Sequence, residues 1–404
     1  MFYKEIAFQE TAIGGIPKDW EIVKIGEAIS LEYGKGLPAS SREQGTYPIA
    51  GSHGVIGHTK GPLVKGPGIV VGRKGTIGAV SWIETDFWPI DTTYYVKTKK
   101  ESILLKWLFY ELKHVNLAKL SLSDVVPGLK RDLAYSMKMP LPSFEEQKQI
   151  VEVLSCVDLA IKNTDEVIVK TEHLKKGLMQ KLLTEGIGHK EFKDTKIGKT
   201  PLEWNVRELG DVAIEVYRYP TYYNIHYFDA GVPEVRGELI KEKGELEEDL
   251  SLYRFISEET SQRFQRTILK EGDFVLSVRG TMGKVAVVPE RLKGANITAN
   301  LIRISLDSSK CFPSFFKQFF LSDRFQKTLN NLSSQTTIKT IQAPKLKSIK
   351  VAIPPIIEQQ QIAEILSTVD SKLRCEKKGL ENLVRIKQSL MDLLLTGKVR
   401  VKVD

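Results

Sequence analysis

Two short segments place a cation, a threonine and two glycines at the same spacing. Residues 74–78 are Lys-Gly-Thr-Ile-Gly and residues 279–283 are Arg-Gly-Thr-Met-Gly, and each follows an apolar run typical of a buried strand. Cationic and hydroxyl side chains on such a turn can contact the phosphates or the base edges of a nucleic acid. The glycines can instead serve only to close a tight turn between two strands. The residues alone leave three roles open for these segments: a turn, a phosphate contact or a base contact.

Other side chains of the types that hydrogen-bond to DNA stand in predicted loops or at predicted strand ends. The chain carries a net charge of +9 and has a pI of about 9.1, which favours an anionic partner such as nucleic acid. In the first half of the chain, the candidates for DNA contact are Arg42, Arg73, Lys74 and Thr76. In the second half, they are Arg218, Arg236, Arg279, Thr281, Gln335, Thr336, Thr337 and Lys339.

The motifs of several common enzyme classes are missing from the sequence. Residues 198–200 end like a phosphate-binding loop, but Lys193 stands where that loop needs its first glycine. There is no Asn-Pro-Pro-aromatic tetrapeptide, as an adenine methyltransferase would carry, and no His-Glu-x-x-His zinc motif. We therefore predict no catalytic residue and no metal site in this chain.

Cysteine usage and hydropathy indicate the compartment. Cys156, Cys311 and Cys375 have no spacing typical of a disulfide framework or a zinc site, which fits a reducing environment. No apolar run is long enough to span a membrane, and residues 1–5 do not resemble a signal peptide. We expect a cytoplasmic protein with no membrane partner.

The elements that position these residues are duplicated along the whole chain. The pattern Pro-x-[Asp/Glu]-Trp at residues 17–20 recurs at 201–204, and Glu-Gln-x-Gln-Ile at 146–150 recurs at 358–362. The matched motifs keep their order along the chain, while the number of residues between the first and second copy of each motif increases. The chain is therefore predicted to be a tandem duplication whose second copy carries insertions.

Each repeat ends in a long amphipathic segment with apolar residues spaced alternately by four and three. This pattern predicts two helices, each roughly 60 Å long, whose apolar seams pack against each other. A lysine interrupts each seam at the equivalent position, Lys175 and Lys387, and such a polar residue can fix the register. The apolar seam residues are Ile150, Leu154, Val157, Ile161, Ile168, Leu178, Leu182, Ile362, Leu366, Val369, Leu373, Leu380, Leu383, Leu390 and Leu394.

We therefore predict an internally duplicated α/β fold, in which two long antiparallel coiled-coil helices separate two globular α/β domains. Residues 88–96 are expected to form one strand of the first domain. The predicted parts are residues 1–143 (first domain), 144–185 (first helix), 186–355 (second domain), 356–397 (second helix) and 398–404 (a tail that returns toward the first domain).

This organisation resembles the specificity (S) subunit of type I restriction–modification enzymes over essentially all 404 residues. The resemblance rests on the duplicated Pro-x-[Asp/Glu]-Trp openings, the strand–proline–helix junctions at 139–147 and 353–360, and the helix ends at 178–184 and 390–399. It implies that each globular domain is a target recognition domain for one half of a bipartite, asymmetric DNA site. It also implies that the helices are conserved regions that set the spacing between the half-sites.

The resemblance further implies a non-catalytic subunit of a methyltransferase and endonuclease complex. The implied partners are double-stranded DNA, two methyltransferase (M) subunits docked on the helix pair, and motor–nuclease restriction (R) subunits. No cofactor is expected in this chain, whereas S-adenosylmethionine, and ATP with Mg, are expected in the partner subunits. Two alternatives are a stand-alone two-domain DNA-binding regulator and an adaptor that binds only protein. The surplus apolar surface of the helices also predicts possible self-association of the isolated chain.

Overall fold

The computed structural model describes residues 2–38, 42, 45–121, 128–218, 225–241, 243–332 and 340–402. The chain forms two compact units. The first unit contains residues 1–166 and 377–404, and the second contains residues 167–376. Each unit thus includes one globular domain and half of each long helix.

The first repeat begins with short strands and ends in a long helix. Its strands are β1 (Phe2–Lys4), β2 (Phe8–Thr11), β3 (Gly14–Pro17), β4 (Glu21–Lys24), β5 (Ile29–Tyr33), β6 (Tyr47–Gly51), β7 (Gly54–Thr59), β8 (Gly68–Gly72), β9 (Val80–Ile83), β10 (Trp88–Pro89), β11 (Thr93–Thr98) and β12 (Lys138–Leu141). Its helices are α1 (Ile25–Ala28), α2 (Leu105–Val115), α3 (Arg131–Ser136) and α4 (Phe144–Leu182).

The second repeat has the same order of elements with additional short ones. Its strands are β13 (Phe192–Thr195), β14 (Gly198–Pro201), β15 (Asn205–Glu208), β16 (Ala213–Arg218), β17 (Val232–Val235), β18 (Arg254–Ile256), β19 (Phe274–Ser277), β20 (Val285–Val287), β21 (Asn296–Ile297), β22 (Leu301–Leu306), β23 (Lys350–Ile353) and, after the last helix, β24 (Val399–Val401). Its helices are α5 (Leu209–Val212), α6 (Glu258–Arg263), α7 (Pro313–Leu321), α8 (Asp323–Leu332), α9 (Ala343–Lys347) and α10 (Ile356–Leu394).

Each unit contains a four-stranded antiparallel sheet with the same strand order. The order is β5-β11-β8-β9 in the first unit and β16-β22-β19-β20 in the second. Each also contains a three-stranded sheet with one parallel pair, β10 with β6 and β17 with β21. Because the paired elements occupy equivalent places in the two repeats, the predicted duplicated α/β fold is confirmed.

The expectation of a single strand at residues 88–96 is wrong. The chain forms β10, turns, and then forms β11, which belongs to the other sheet. The turn is closed by hydrogen bonds from the backbone N and the Oγ1 of Thr93 to Ile90 O, at 3.0 Å and 2.7 Å. Ile90 N still donates to Ala50 O at 3.1 Å, so the chain leaves the three-stranded sheet after Ile90, at the turn that Thr93 closes.

The long helices pack against each other in both units, and they run antiparallel. In the first unit, Ile150 and Leu154 of α4 share a hydrophobic core with Leu394 of α10. In the second unit, Leu182 of α4 shares a core with Ile362 of α10. The start of one helix therefore meets the end of the other. All the predicted seam residues are buried or partly buried.

The junction between each domain and its helix is built from the duplicated tryptophan and Glu-Gln motifs. Trp20 Nε1 donates to Glu146 Oε2 at 2.9 Å, and Trp204 Nε1 donates to Glu358 Oε2 at 2.8 Å. We call α2 and α7 the domain helices. The glutamine that follows each glutamate accepts a hydrogen bond from the N-cap residue of the domain helix in its unit. Leu104 N donates to Gln147 at 2.8 Å, and Phe312 N donates to Gln359 at 2.8 Å in the second unit. The sequence motif thus fixes where the domain meets the helix.

The tail after α10 pairs with the beginning of the chain. β24 forms an antiparallel ladder with β1, and Glu5 N donates to Lys398 O at 3.2 Å. Arg400 in β24 is 7% exposed and contacts Glu146 Oε1 at 2.5 Å through Nε. The tail therefore completes the first unit.

Candidate nucleic-acid interface

The two Gly-Thr turns join equivalent strands of the two four-stranded sheets. In the first unit, the turn connects β8 to β9, and Gly78 N donates to Gly72 O at 2.8 Å. In the second unit, the turn connects β19 to β20, and Gly283 N donates to Ser277 O at 2.8 Å. The two turns therefore have the same backbone hydrogen bond at the same place in the fold.

The glycines of these turns have a structural role. Gly75 and Gly280 both have φ of 76°, a left-handed conformation that side chains disfavour. A Cβ atom on Gly78 would lie 2.3 Å from Ala118 N, so a larger residue cannot fit there. The glycines thus close the hairpins, while the side chains of Lys74, Thr76, Arg279 and Thr281 are exposed to solvent.

Arg73 is held in place by the backbone and by an aromatic ring. Its Nε and Nη2 donate to Asp91 O at 3.1 Å and 2.8 Å. Its guanidinium carbon lies 5.3 Å from the ring centroid of Tyr33. The cation of Arg73 is therefore held next to the exposed Lys74.

In the second unit, the sequence candidates Arg218 and Arg279 interact electrostatically. Arg218 Nε donates to Ala299 O at 3.1 Å, and its Nη1 donates to Thr340 Oγ1 at 3.2 Å. Burial, together with the charge of Arg279, holds the pKa of Arg218 below its usual range. The two cations thus lie close enough to repel each other, and an anion bound between them would relieve this repulsion.

Of the six remaining candidates, two are described by the structure and four lie outside the described residues. Arg42 is exposed, and its Nε donates to Leu37 O at 3.2 Å. Arg236 forms an ion pair with Glu238 and donates to Leu252 O, so its charge is partly neutralised. Four candidates lie outside the described residues, namely Gln335, Thr336, Thr337 and Lys339.

Among the other residues that line the same cleft as Arg73 and Lys74, three could contact an anion or hold a cation and were not predicted from the sequence. They are Tyr33, Lys130 and Arg131. The only signal in the sequence is a pair of neighbouring basic residues shortly after a glycine, which is too common to assign a role. The fold brings this pair next to the turn because Leu129 N donates to Arg73 O at 2.9 Å.

The lysine in each helix seam forms an ion pair with the opposite helix. Lys175 Nζ lies 2.6 Å from Asp370 Oδ1 in the second unit, and Lys387 Nζ lies 2.5 Å from Asp158 Oδ1 in the first. Each aspartate also accepts a hydrogen bond from the domain helix. The donor is Tyr110 Oη at 2.6 Å for Asp158, and its counterpart is a glutamine in the second unit. The helix pair and each domain are thus joined at one carboxylate.

We expect Lys387→Met to lower the free energy of unfolding of the first unit by about 1–2 kcal/mol, because Asp158 loses its cation in a partly buried site. The double variant Lys387→Met/Asp158→Asn should recover most of this loss, since it leaves no unpaired charge. Urea unfolding followed by circular dichroism measures both effects. Lys378→Met is the matched control on the exposed face of the same helix. An equal loss in the control would show that the ion pair contributes nothing.

The described part of the chain lacks two further kinds of feature. None of its helices is long and apolar enough to cross a membrane. No group of three or more His, Cys, Asp or Glu side chains among the described residues could hold a metal ion.

Comparisons with known proteins give the family. Residues 17–171 and 201–385 both match the family model described as the type I restriction modification DNA specificity domain. The type I restriction enzyme MjaVIII specificity subunit of Methanocaldococcus jannaschii is 29% identical, over 99% of this chain and 98% of its own length. The EcoBI specificity subunit of Escherichia coli is 22% identical, over 82% of this chain and 73% of its own length.

Solved structures share the fold. The S subunit of a type I restriction–modification system from M. genitalium has a TM-score of 0.60 at 15% identity, covering 96% of this chain and 99% of its own. A chain from a structure on complex assembly and conformational transition of the type I R-M system has a TM-score of 0.56 at 15% identity, covering 95% and 99%. With two matched segments that span most of its length, the chain belongs to the type I restriction–modification DNA specificity family.

Proposed function

We propose that the chain is the DNA sequence-specificity subunit of a type I restriction–modification complex. Each globular domain recognises one half of a bipartite, asymmetric site in double-stranded DNA. The observation that carries the proposal is the duplicated hairpin turn with an exposed cation, Lys74 in one domain and Arg279 in the other. Because the sequences around the two turns differ, the two half-sites are expected to differ as well.

The long helices supply the spacing and the docking surface for two methyltransferase subunits. Each helix has 39 residues and is therefore roughly 60 Å long. This length accommodates half-sites whose centres lie about one turn of DNA apart, ~34 Å. A fixed helix pair therefore gives a fixed gap between the half-sites.

Catalysis belongs to the partners in this proposal. Adenine methylation requires the target base to be flipped out of the duplex, and the methyltransferase subunits bind S-adenosylmethionine for this step. The restriction subunits use ATP with Mg and cut unmodified DNA. The chain itself contributes recognition and no catalytic residue, and it acts in the cytoplasm.

Methylome sequencing tests the proposal directly. A methylation-free host would express this chain with the methyltransferase subunit of its own system. We expect a split adenine motif with a fixed gap, and a chimera with the second domain of a relative should change only one half of that motif. The methyltransferase subunit alone is the control. A stable complex that leaves the genome unmodified, or a motif without a gap, would contradict the proposal.

A further inference from the structure

A basic cleft lies beside the Gly-Thr turn of the first unit. We define the basic cleft by Tyr33, Arg73, Lys74, Lys130 and Arg131, which line a volume of about 530 Å³. The guanidinium carbons of both arginines lie over the ring of Tyr33, at 5.3 Å for Arg73 and 4.5 Å for Arg131. Two cations on one exposed ring repel each other, and an anion bound in the cleft that both arginines line would reduce this cost.

The basic cleft provides little negative charge of its own. In the described part of the chain, no carboxylate forms an ion pair with Arg73, Lys74 or Arg131, and Asp132 is the only acidic residue in the lining. Burial and a hydrogen bond with Tyr33 raise the pKa of Tyr94 to about 12, so this neighbouring hydroxyl stays neutral at physiological pH. Three cations without an ion pair among the described residues, Arg73, Lys74 and Arg131, therefore face a space lined by one carboxylate.

The hydrogen bonds of the two arginines favour a phosphate over a base edge as the ligand. Specific readout of guanine needs a free guanidinium edge that donates two parallel hydrogen bonds. The Nε–Nη2 edge of Arg73 donates to Asp91 O, and Nη1 of Arg131 donates to Leu31 O at 3.4 Å, so each guanidinium keeps at most one edge free for a base and is held in place by the backbone. A phosphate requires only positive charge and single donors, which these fixed groups supply.

The second unit collects cations at the equivalent place. Ile341 N donates to Val278 O, next to Arg279, as Leu129 N donates to Arg73 O in the first unit. Arg218, at the end of β16, donates to Thr340 Oγ1 at 3.2 Å, directly before the residue that bonds to Val278. A duplicated position suggests a role that both domains share, and contact with the DNA backbone is such a role, since it does not depend on sequence.

We infer that the basic cleft binds a phosphate of the DNA backbone and positions the first domain on the duplex. This inference rests on the proposed function, and it assigns Lys130 and Arg131 to the interface in addition to the residues of the turn. Tyr33 is a positioning residue, because its ring holds the two guanidinium groups at a fixed separation.

Fluorescence anisotropy of the full chain with a labelled random-sequence duplex tests the inference across a range of salt concentrations. We expect Lys74→Gln/Arg131→Gln to weaken binding about tenfold. The slope of log affinity against log salt concentration should fall by about two, since each lost phosphate contact lowers it by about one. Lys18→Gln, on an exposed residue of the same unit, removes a charge outside the basic cleft and should keep the wild-type slope.

Four outcomes decide between the possible roles of the basic cleft. Arg131→Lys keeps the charge and should restore the slope, whereas a loss of slope in this variant would contradict a simple phosphate contact. Equal salt slopes for the double variant and Lys18→Gln would overturn the inference while leaving the proposed function intact. A second labelled duplex carries the motif that methylome sequencing gives, and a loss of binding confined to this duplex would assign the basic cleft to base readout instead. Failure of the wild-type chain to bind any duplex at low salt would count against the proposed function itself.

Discussion

Replacing Arg400 with alanine is expected to lower the free energy of unfolding of the first unit by about 3–5 kcal/mol, because it leaves a buried charge without a partner. Glu146 is 2% exposed, and Arg400 contacts both of its carboxylate oxygens, at 2.5 Å and 2.8 Å. Arg400 also contacts Asp19 and Glu5. Burial opposes the charge on Arg400, but its hydrogen bonds with these carboxylates hold its pKa above the usual range. After the substitution, the indole of Trp20 would be the one remaining donor to the Glu146 carboxylate among the described residues.

Urea unfolding followed by tryptophan fluorescence measures this effect, since four of the five tryptophans, all except Trp204, belong to the first unit. Arg385→Ala is the matched control, because it removes an exposed arginine from the same C-terminal part of the chain and should cost less than about 0.5 kcal/mol. The second substitution Glu146→Gln, added to Arg400→Ala, should recover part of the loss, since no buried charge remains. A loss in Arg400→Ala no larger than in the control would mean that the cluster does not stabilise the unit.

The position of Arg400 reflects a difference in chain connectivity between the two units. In the second unit, the covalent chain leads from α4 directly into β13, and His189 on this connection lies 2.8 Å from Glu358. In the first unit, no covalent connection leads from the end of α10 to the start of the chain. The ladder of β24 with β1 and the ion pairs of Arg400 replace it. The same glutamate position therefore contacts, in both units, a side chain that follows a long helix: Arg400 in the first unit and His189 in the second.

The repeat made the scaffold predictable from the sequence. The heptad spacing predicted both long helices, and the structure buries or partly buries every predicted seam residue. The lysines at 175 and 387 were expected to affect register, but their carboxylate partners could not be predicted. Asp158 and Asp370 stand outside the apolar seam, where the sequence pattern predicts solvent exposure. The antiparallel pairing of the helices brings them to the lysines.

The candidate interface was less predictable, for a physical reason. The Gly-Thr turns recur because a hairpin with left-handed glycines imposes a local sequence requirement. The basic cleft imposes no such local requirement, because its residues come from the end of β5, the turn after β8 and the start of α3. These segments meet through the pairing of β5 and β8 with β11 and through the hydrogen bond from Leu129 N to Arg73 O, all between residues far apart in the chain. Arg131 therefore had no local pattern that could mark it.

A second large effect is expected from Glu111 in α2, and it should depend on pH. This side chain is 0% exposed, and neither of its carboxylate oxygens has a hydrogen-bond partner among the described residues. Burial raises the pKa of Glu111 from 4.5 to about 8. The folded unit therefore keeps a proton that the unfolded chain releases above pH 4.5. Its free energy of unfolding should fall as the pH rises from about 5 to 8, by roughly 1 kcal/mol per pH unit from this group.

Glu111→Gln should remove this dependence, because the amide is a neutral isostere of the protonated acid. We expect the variant to match the wild type near pH 5 and to exceed its stability by about 3 kcal/mol or more at pH 8, since one pKa unit corresponds to about 1.4 kcal/mol. Urea unfolding at several pH values, followed by tryptophan fluorescence, measures the difference. Glu101→Gln, on an exposed residue just before α2, is the control and should follow the wild-type curve. Wild-type and Glu111→Gln curves that stay parallel from pH 5 to 8 would mean that Glu111 is already ionised in the folded unit. The burial of its carboxyl group would then be compensated by a partner that the structure does not contain.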